Sequence, residues 1–325
     1  MSSQAASKLC PTNSIEFHDL APEQASFLEE VKQGLSQTPK TLSPKFFYDQ
    51  RGSQLFDQIC DLPEYYPTRT EMAILQQHSA EIAAAIGEHC VLIELGSGAS
   101  RKIRLLLDIL KPAQYTAVDI SRDFLVESAS RLADDFPWLE VVAVCADFSQ
   151  ILSLPNATRE DRRVAFFPGS SIGNFDPESA ERFLSDVADM LGHGGLLLIG
   201  VDMKKDQQIL HQAYNDQAGV TADFNLNLLR RMQRELGAEL DLSGFQHRAW
   251  YNPEVGRIEM HLESIREQTL SLDGEDYVFH QGETLHTENS YKYTPQEFEA
   301  MANRVGLQRE NLWVDDQQLF SVQLF

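Results

Sequence analysis

The chain has no long apolar run, few cysteines and little positive charge, and each shortage excludes something. No stretch approaches the roughly 20 apolar residues needed to cross a bilayer, so no membrane span is expected. The N-terminus, MSSQAASKLCPTNS, has no apolar h-region, so neither export nor lipidation at Cys10 is expected. The four cysteines, Cys10, Cys60, Cys90 and Cys145, are scattered without a CxxC. Reduced thiols in a cytoplasmic protein are the expected state. Lys and Arg number 27 against 49 Asp and Glu, a net charge of -22. Such a surface repels nucleic acid phosphates and anionic membranes, which argues against RNA or DNA as a substrate. The acids are dispersed rather than blocked, as solvated helix faces are. The nine histidines show no HxxxH with a third partner, so no metal site is expected. There is no internal repeat and no low-complexity tract.

What is present is enough for a substantial core. A chain of 325 residues with 42% hydrophobic content suits two domains, or one domain with a large elaboration. Residues 1–20 read as a weakly ordered tail. Phe27, Leu28, Val31 and Leu35 recur at helical spacing, predicting a helix over Glu23–Leu35. Pro44–Ser53 reads as an aromatic-rich turn or short helix. Leu62–Glu71, with two prolines, reads as an ordered loop entering a helix over Thr70–Ile86.

From Cys90 the pattern alternates. Strands are predicted at Val91–Leu95, Tyr115–Val118, Glu140–Val144, Val164–Phe167 and Gly195–Val201, with amphipathic helices between most of them. Asp176-Pro-Glu opens the last helix with an acid cap and a proline, and Gly192 closes it. Repeated βαβ units predict a parallel sheet covered on both faces. The alternation stops near Lys204. A helical region to Glu239 is followed by strands at Phe245–Tyr251, Arg257–Ile265, Thr269–Leu272 and Tyr277–Phe279, a helix after Thr294, and strands at Asn311–Val314 and Leu319–Phe325. The reading is an α/β fold in which a Rossmann-like sheet (69–203 and 290–325) is joined by a second α+β domain (21–68 and 204–289).

The sharpest local signal is Val91-Leu-Ile-Glu-Leu-Gly-Ser-Gly98, answered by Ala117-Val-Asp-Ile120. A strand running into a glycine turn, followed by a second strand ending in an acid, builds a nucleoside pocket. Gly96 lets backbone approach a ligand, and Asp119 accepts from ribose hydroxyls. A dinucleotide fingerprint needs a third glycine where Arg101 stands, to seat a pyrophosphate. S-adenosylmethionine has no phosphate and needs no such seat. Its carboxylate and ammonium could be held by backbone groups and Lys102, and its adenine by Asp147 and Phe148. Each acid taken singly could equally be a solvated loop-end carboxylate. Phe167-Pro-Gly-Ser-Ser-Ile-Gly-Asn174 places Asn174 in a glycine-flanked loop beside that cofactor. A carboxamide oxygen can accept from an amine without adding charge, though an Asn can also merely stabilise its own turn.

Longer motifs occur in order along the chain: Thr38-Pro-Lys-Thr-Leu, Phe47-Tyr-Asp-Gln-Arg-Gly-Ser, Leu55-Phe-Asp, Leu62-Pro-Glu-Tyr-Tyr-Pro-Thr-Arg-Thr-Glu, Glu94-Leu-Gly-Ser-Gly, Gly169-Ser-Ser-Ile-Gly-Asn, Ala213-Tyr-Asn-Asp with Ala218-Gly-Val-Thr-Ala, Arg257-Ile-Glu-Met and Thr287-Glu-Asn-Ser. On these the sequence resembles the histidine-specific, S-adenosylmethionine-dependent methyltransferase family from about residue 36 onward. The resemblance implies a class I methyltransferase sheet that ends in an antiparallel strand. It implies three successive transfers to the α-amine of free L-histidine, giving hercynine for ergothioneine biosynthesis.

Carried over residue by residue, it implies Tyr65 and Asn174 at the α-amino group and Tyr214 at the carboxylate. Glu288 and Ser290 fall at the imidazole, with Met260 against the ring. Tyr48 and Phe56 close the site over both ligands, and Gly96, Lys102, Asp119, Asp147 and Phe148 hold the cofactor. Asn289 and Tyr291 depart from the family pattern. A monomer without metal is expected, with a pathway link to a sulfoxide synthase. On the residues alone, Glu288 is as readily a surface strand acid, and Met260 and Tyr214 ordinary packing. A methyltransferase for another small amine, a cofactor-binding module without activity, and a dehydrogenase remain the alternatives.

Overall fold

The computed structural model describes residues 15–20, 24–150 and 162–325. Cys10 lies outside them. The elements in chain order are β1 (Glu16–Asp19), α1 (Gln24–Leu35), β2 (Lys40–Thr41), α2 (Gln50–Cys60), α3 (Tyr66–Gln77) and α4 (Ser79–Ile86). The alternating stretch comprises β3 (Val91–Leu95), α5 (Arg104–Leu110), β4 (Gln114–Asp119), α6 (Arg122–Asp135), β5 (Glu140–Cys145), β6 (Arg163–Phe167), α7 (Pro177–Leu191) and β7 (Leu196–Asp202). Then come α8 (Gln207–Tyr214), α9 (Val220–Leu236), β8 (Phe245–Asn252), β9 (Arg257–Ser264), β10 (Gln268–Leu272), β11 (Glu275–Phe279) and β12 (Thr284–Tyr291). The chain closes with α10 (Pro295–Arg304), β13 (Asn311–Val314) and β14 (Phe320–Leu324).

The eight-stranded sheet has the order β1-β5-β4-β3-β6-β7-β14-β13. Strands β1 and β3 to β7 run parallel, and β14 pairs antiparallel with β7. This is a Rossmann-like sheet with the reversed strand that the family resemblance implies. β3 and β4 are buried at every position because helices cover both faces. Successive strands run outward from β3 in one direction and from β6 in the other. The carboxyl ends of β3 and β6 therefore border the crevice in which such sheets bind ligands. In α7, the Asp176 side chain accepts from the Ser179 N–H at 2.9 Å, a cap that contributes about 1 kcal/mol.

The stretch after β7 leaves the sheet and returns to the same place. The Tyr293 N–H donates to the Asp202 carbonyl at 3.1 Å, and the Lys204 N–H donates to the Tyr293 carbonyl at 3.3 Å. Between these points lie α8, α9, the strands β8, β9 and β12 and the β10-β11 hairpin; β2, from the N-terminal part of the chain, joins β12 to complete a four-stranded sheet of order β2-β12-β9-β8. Residues of α1, α2, α8, α9 and this second sheet share one hydrophobic core, while two further cores flank the large sheet.

The structure differs from the sequence reading at several places, among them α2, which runs from Gln50 to Cys60 where only a turn or short helix over Pro44–Ser53 was expected. Residues 16–19, expected in a loose tail, form β1, because its N–H and C=O groups extend the parallel ladder at the β5 edge. The helix expected at Thr70 begins at Tyr66, since Pro67 suits a first turn, and a break at His78 divides it from α4. The helical region after Lys204 is two helices joined through Gly219 at φ +75°. β12 had no clear alternation and was not expected.

Candidate active site

The glycine turn after β3 has φ +71° at Gly96 and +50° at Gly98. The Gly96 and Ser97 N–H groups donate to the Val118 carbonyl at 2.9 and 3.0 Å, which ties the turn to β4. Asp119 accepts from the Gly98 and Ser121 N–H groups, each at 2.9 Å. Burial pushes its carboxyl above the usual range, and these donors work against that push. Phe148 covers the turn, and a Cβ at Gly96 would stand 3.4 Å from its ring. A cleft of about 980 Å³ opens here, lined among others by Tyr48, Phe56, Gly96, Lys102, Asp119, Phe148 and Asn174. The buried hydroxyl of Ser97, also in its wall, has no hydrogen-bond partner. Glu94 lies in the same wall, its carboxyl pushed up to about 8 by burial while Tyr115 donates to it. A cleft floored by glycine backbone, with an acid at a strand end, an aromatic cover and an orphaned hydroxyl, fits a nucleoside carrying polar groups at both ends.

Lys102 forms an ion pair at 2.6 Å with Glu71, which is fully buried. The Glu71 carboxylate also accepts from the Gly169 N–H at 2.9 Å. This glutamate, the last residue of the Leu62–Glu71 motif, fixes both Lys102 and the loop carrying Asn174. Asp147 stands apart. Its carboxylate accepts from the Ser149 N–H at 3.0 Å and pairs with Lys45 at 3.2 Å, and it does not line the cleft.

Asn174 closes a 3-10 turn over Ser171–Asn174. It lines the cofactor cleft and a second opening of about 750 Å³, where it faces Glu288 and Thr287. Among the described residues its carboxamide has no hydrogen-bond partner. The Tyr48, Phe56, Tyr65 and Tyr214 rings form an edge-to-face chain, with centroids 5.8, 6.2 and 6.4 Å apart in turn. Phe224, which sequence reasoning missed, packs against Tyr48 and Phe56 at 5.8 and 5.9 Å. Burial holds the Tyr48 and Tyr65 phenols well above their ordinary pKa, with the Glu288 charge adding to the effect.

Glu288 reaches this group through a bulge. Strict alternation along β12 would put His286 and Glu288 on one face. The register shifts between them, so that His286 pairs with His261 while Glu288 pairs with Met260. Thr287, at the shift, donates to Asn225 Oδ1 at 2.8 Å. Glu288 thus stands beside buried Met260 on the tyrosine side, and its carboxylate has no hydrogen-bond partner among the described residues. Burial pushes it up to about 7, and the nearby Lys292 charge pulls the other way.

Two residues further on, Ser290 accepts from Tyr214 OH at 2.8 Å. Beneath them Lys292 donates to Ser290 Oγ at 2.7 Å and Tyr214 OH at 3.2 Å, and pairs with Asp202 at 2.7 Å. Asp202 is also held by Lys205 at 2.6 Å and Tyr66 OH at 2.8 Å. Lys292 follows the Thr287–Ser290 motif, and Asp202 ends β7. Nothing in sequence spacing marks them as partners 90 residues apart. No helix among the described residues is long and apolar enough to cross a membrane, and no three His, Cys, Asp or Glu side chains there could hold a metal.

The chain is similar in sequence to known proteins along most of its length. Residues 27–325 match the family model described as histidine-specific methyltransferase, SAM-dependent. Histidine N-alpha-methyltransferase of Mycolicibacterium smegmatis is 42% identical over 302 residues, 91% of this chain and 93% of its own. The protein of the same name from Mycobacterium tuberculosis is 41% identical, with the same coverage of both chains. Ergothioneine biosynthesis protein 1 of Neurospora crassa is 32% identical over 85% of this chain and 32% of its own length.

Proposed function

Because the chain belongs to the histidine-specific, S-adenosylmethionine-dependent methyltransferase family, we propose that it methylates the α-amino group of free L-histidine three times, giving hercynine for ergothioneine biosynthesis. S-adenosylmethionine, when bound, supplies an electrophilic methyl group. Gly96, Asp119, Phe148 and the orphaned Ser97 hydroxyl would hold it, with Lys102 at the amino-acid end and Asp147 supporting the adenine side. The observation that carries the substrate assignment is Glu288, a carboxylate drawn inward beside Met260 with no partner of its own. An imidazole N–H satisfies it, and Ser290 meets the other ring nitrogen. An apolar side chain would leave the acid unpaired, at a cost of a few kcal/mol.

The α-amine is held where both openings meet, at Asn174, with Tyr65 beside it. Tyr214 stands at the carboxylate end of the amino acid, with its own proton committed to Ser290 Oγ. Both phenols, kept protonated by burial, are not bases at neutral pH; Tyr65 and Asn174 orient the amine, and Tyr48 and Phe56 exclude water. Aromatic faces also suit the growing cationic head. In this reading residues 69–203 and 290–325 hold the cofactor, and 21–68 with 204–289 hold the amino acid. We further propose a monomer acting in the cytoplasm and supplying a sulfoxide synthase; the scattered cysteines and dispersed acids support that setting. Mass spectrometry of purified protein incubated with S-adenosylmethionine and L-histidine should show one, two and three added methyl groups. Histidine left unmodified while another free amine is methylated would overturn the assignment.

A further inference from the structure

Lys292 lies almost wholly buried behind the site, and its three protons are accounted for: Asp202, Ser290 Oγ and Tyr214 OH. Tyr214 in turn spends its own proton on Ser290 Oγ. A serine hydroxyl has two acceptor lone pairs and one hydrogen. Both lone pairs are occupied, by Lys292 and Tyr214, and no described residue accepts the Ser290 hydrogen. Ser290 can therefore only donate, and Glu288, when ionised, can only accept.

We infer that Lys292 is a positioning residue that fixes this polarity, so that the pocket takes a neutral five-membered ring with one N–H and one bare nitrogen and rejects rings lacking the bare nitrogen. The inference rests on the histidine reading of the site. Lys292 acts through Ser290 and Tyr214 and never touches the substrate. Asp202, tied down by Lys205 and Tyr66, holds the ammonium in place from β7. Without the ammonium, the Ser290 hydroxyl is free to turn and either donate or accept. The loss is then one of discrimination as well as of binding.

The test compares kcat/KM for L-histidine with that for β-(2-thienyl)-L-alanine, whose ring keeps the size and lacks a basic nitrogen. Lys292→Met is expected to lower the histidine-to-thienylalanine ratio by about tenfold to a hundredfold, the worth of a charge-assisted hydrogen bond. Ser290→Ala should lower it similarly, and Ser290→Ala with Lys292→Met should lower it no further, because one acts through the other. Lys205→Met, which strips Asp202 but not Ser290, should lower the melting temperature and keep the ratio. Should Lys292→Met fail to fold, Asp202→Asn with Lys292→Met removes the buried pair together and is expected to give the same ratio. An unchanged ratio in whichever variant folds, or losses that multiply in the double variant, would overturn the inference while leaving histidine methylation intact. A wild-type protein that does not methylate histidine would overturn the functional reading and this inference with it.

Discussion

Gly173 lies directly against the backbone of Tyr291: a Cβ at Gly173 would stand 2.8 Å from the Tyr291 carbonyl oxygen and 3.1 Å from its nitrogen. This contact brings the turn carrying Asn174, which belongs to the large sheet, against the strand carrying Glu288 and Ser290. The two halves of the site meet through bare backbone, where no side chain fits.

Gly173→Ala should therefore push Asn174 away from β12. A displacement of even about 1 Å at a reacting centre can cost a hundredfold in rate. The expected result is a kcat/KM for histidine reduced by about that factor, with the dissociation constant for S-adenosylhomocysteine changed far less. Calorimetric titration and steady-state kinetics separate the two.

Gly200 performs the same service for Glu71. A Cβ there would stand 2.0 Å from the glutamate oxygen, so Gly200→Ala should evict the carboxylate from between Lys102 and the Gly169 N–H. Breaking a buried pair while leaving one partner behind costs about 3 kcal/mol. Both unfolding free energy and cofactor affinity should fall, as measured by urea titration and by binding of S-adenosylhomocysteine.

Thr287→Val keeps the shape of the bulge residue but leaves Asn225 Oδ1 without its donor. The expected cost is about 1–3 kcal/mol in stability. Loss of the bulge would also return Glu288 to the His286 face, so KM for histidine should rise while cofactor binding holds. A crystal structure of the variant would show the register directly.

The titration of Glu288 gives a signed prediction. Its carboxyl is raised from 4.5 to about 7 in the folded protein, so between those values the unfolded chain is ionised while the folded one keeps its proton. That contribution to stability is complete below about 4.5 and is lost as pH rises through 7. Glu94, raised to about 8, extends the same decline. Glu288→Gln should flatten the fall in unfolding free energy between pH 5 and pH 8 by about 2 kcal/mol. Glu288→Ala should cripple histidine turnover and leave cofactor binding nearly intact. Wild-type histidine turnover by Glu288→Ala would refute the role given to this residue.

Much of the large sheet was legible because its signals are local. β3 and β4 are short apolar runs bounded by a glycine turn and an acid, and α7 carries its own cap and stop. β1 was missed since a four-residue edge strand draws its hydrogen bonds from a partner over 120 residues away. β12 was missed for a different reason. Its bulge destroys the alternation by which a strand is recognised, and one inserted residue reverses every side chain beyond it.

The cofactor turn, the order of the alternating elements and the motifs that placed the chain in its family are written in short stretches of the chain, because each depends on neighbours a few residues apart. Which face of β12 carries Glu288, the tie between Lys102 and Glu71, and the place of Lys292 and Asp202 beneath Tyr214 and Ser290 emerge only in the folded chain. Those outcomes depend on a register shift and on buried pairings between distant segments, and a low-dielectric interior permits such charges only where their partners are also present.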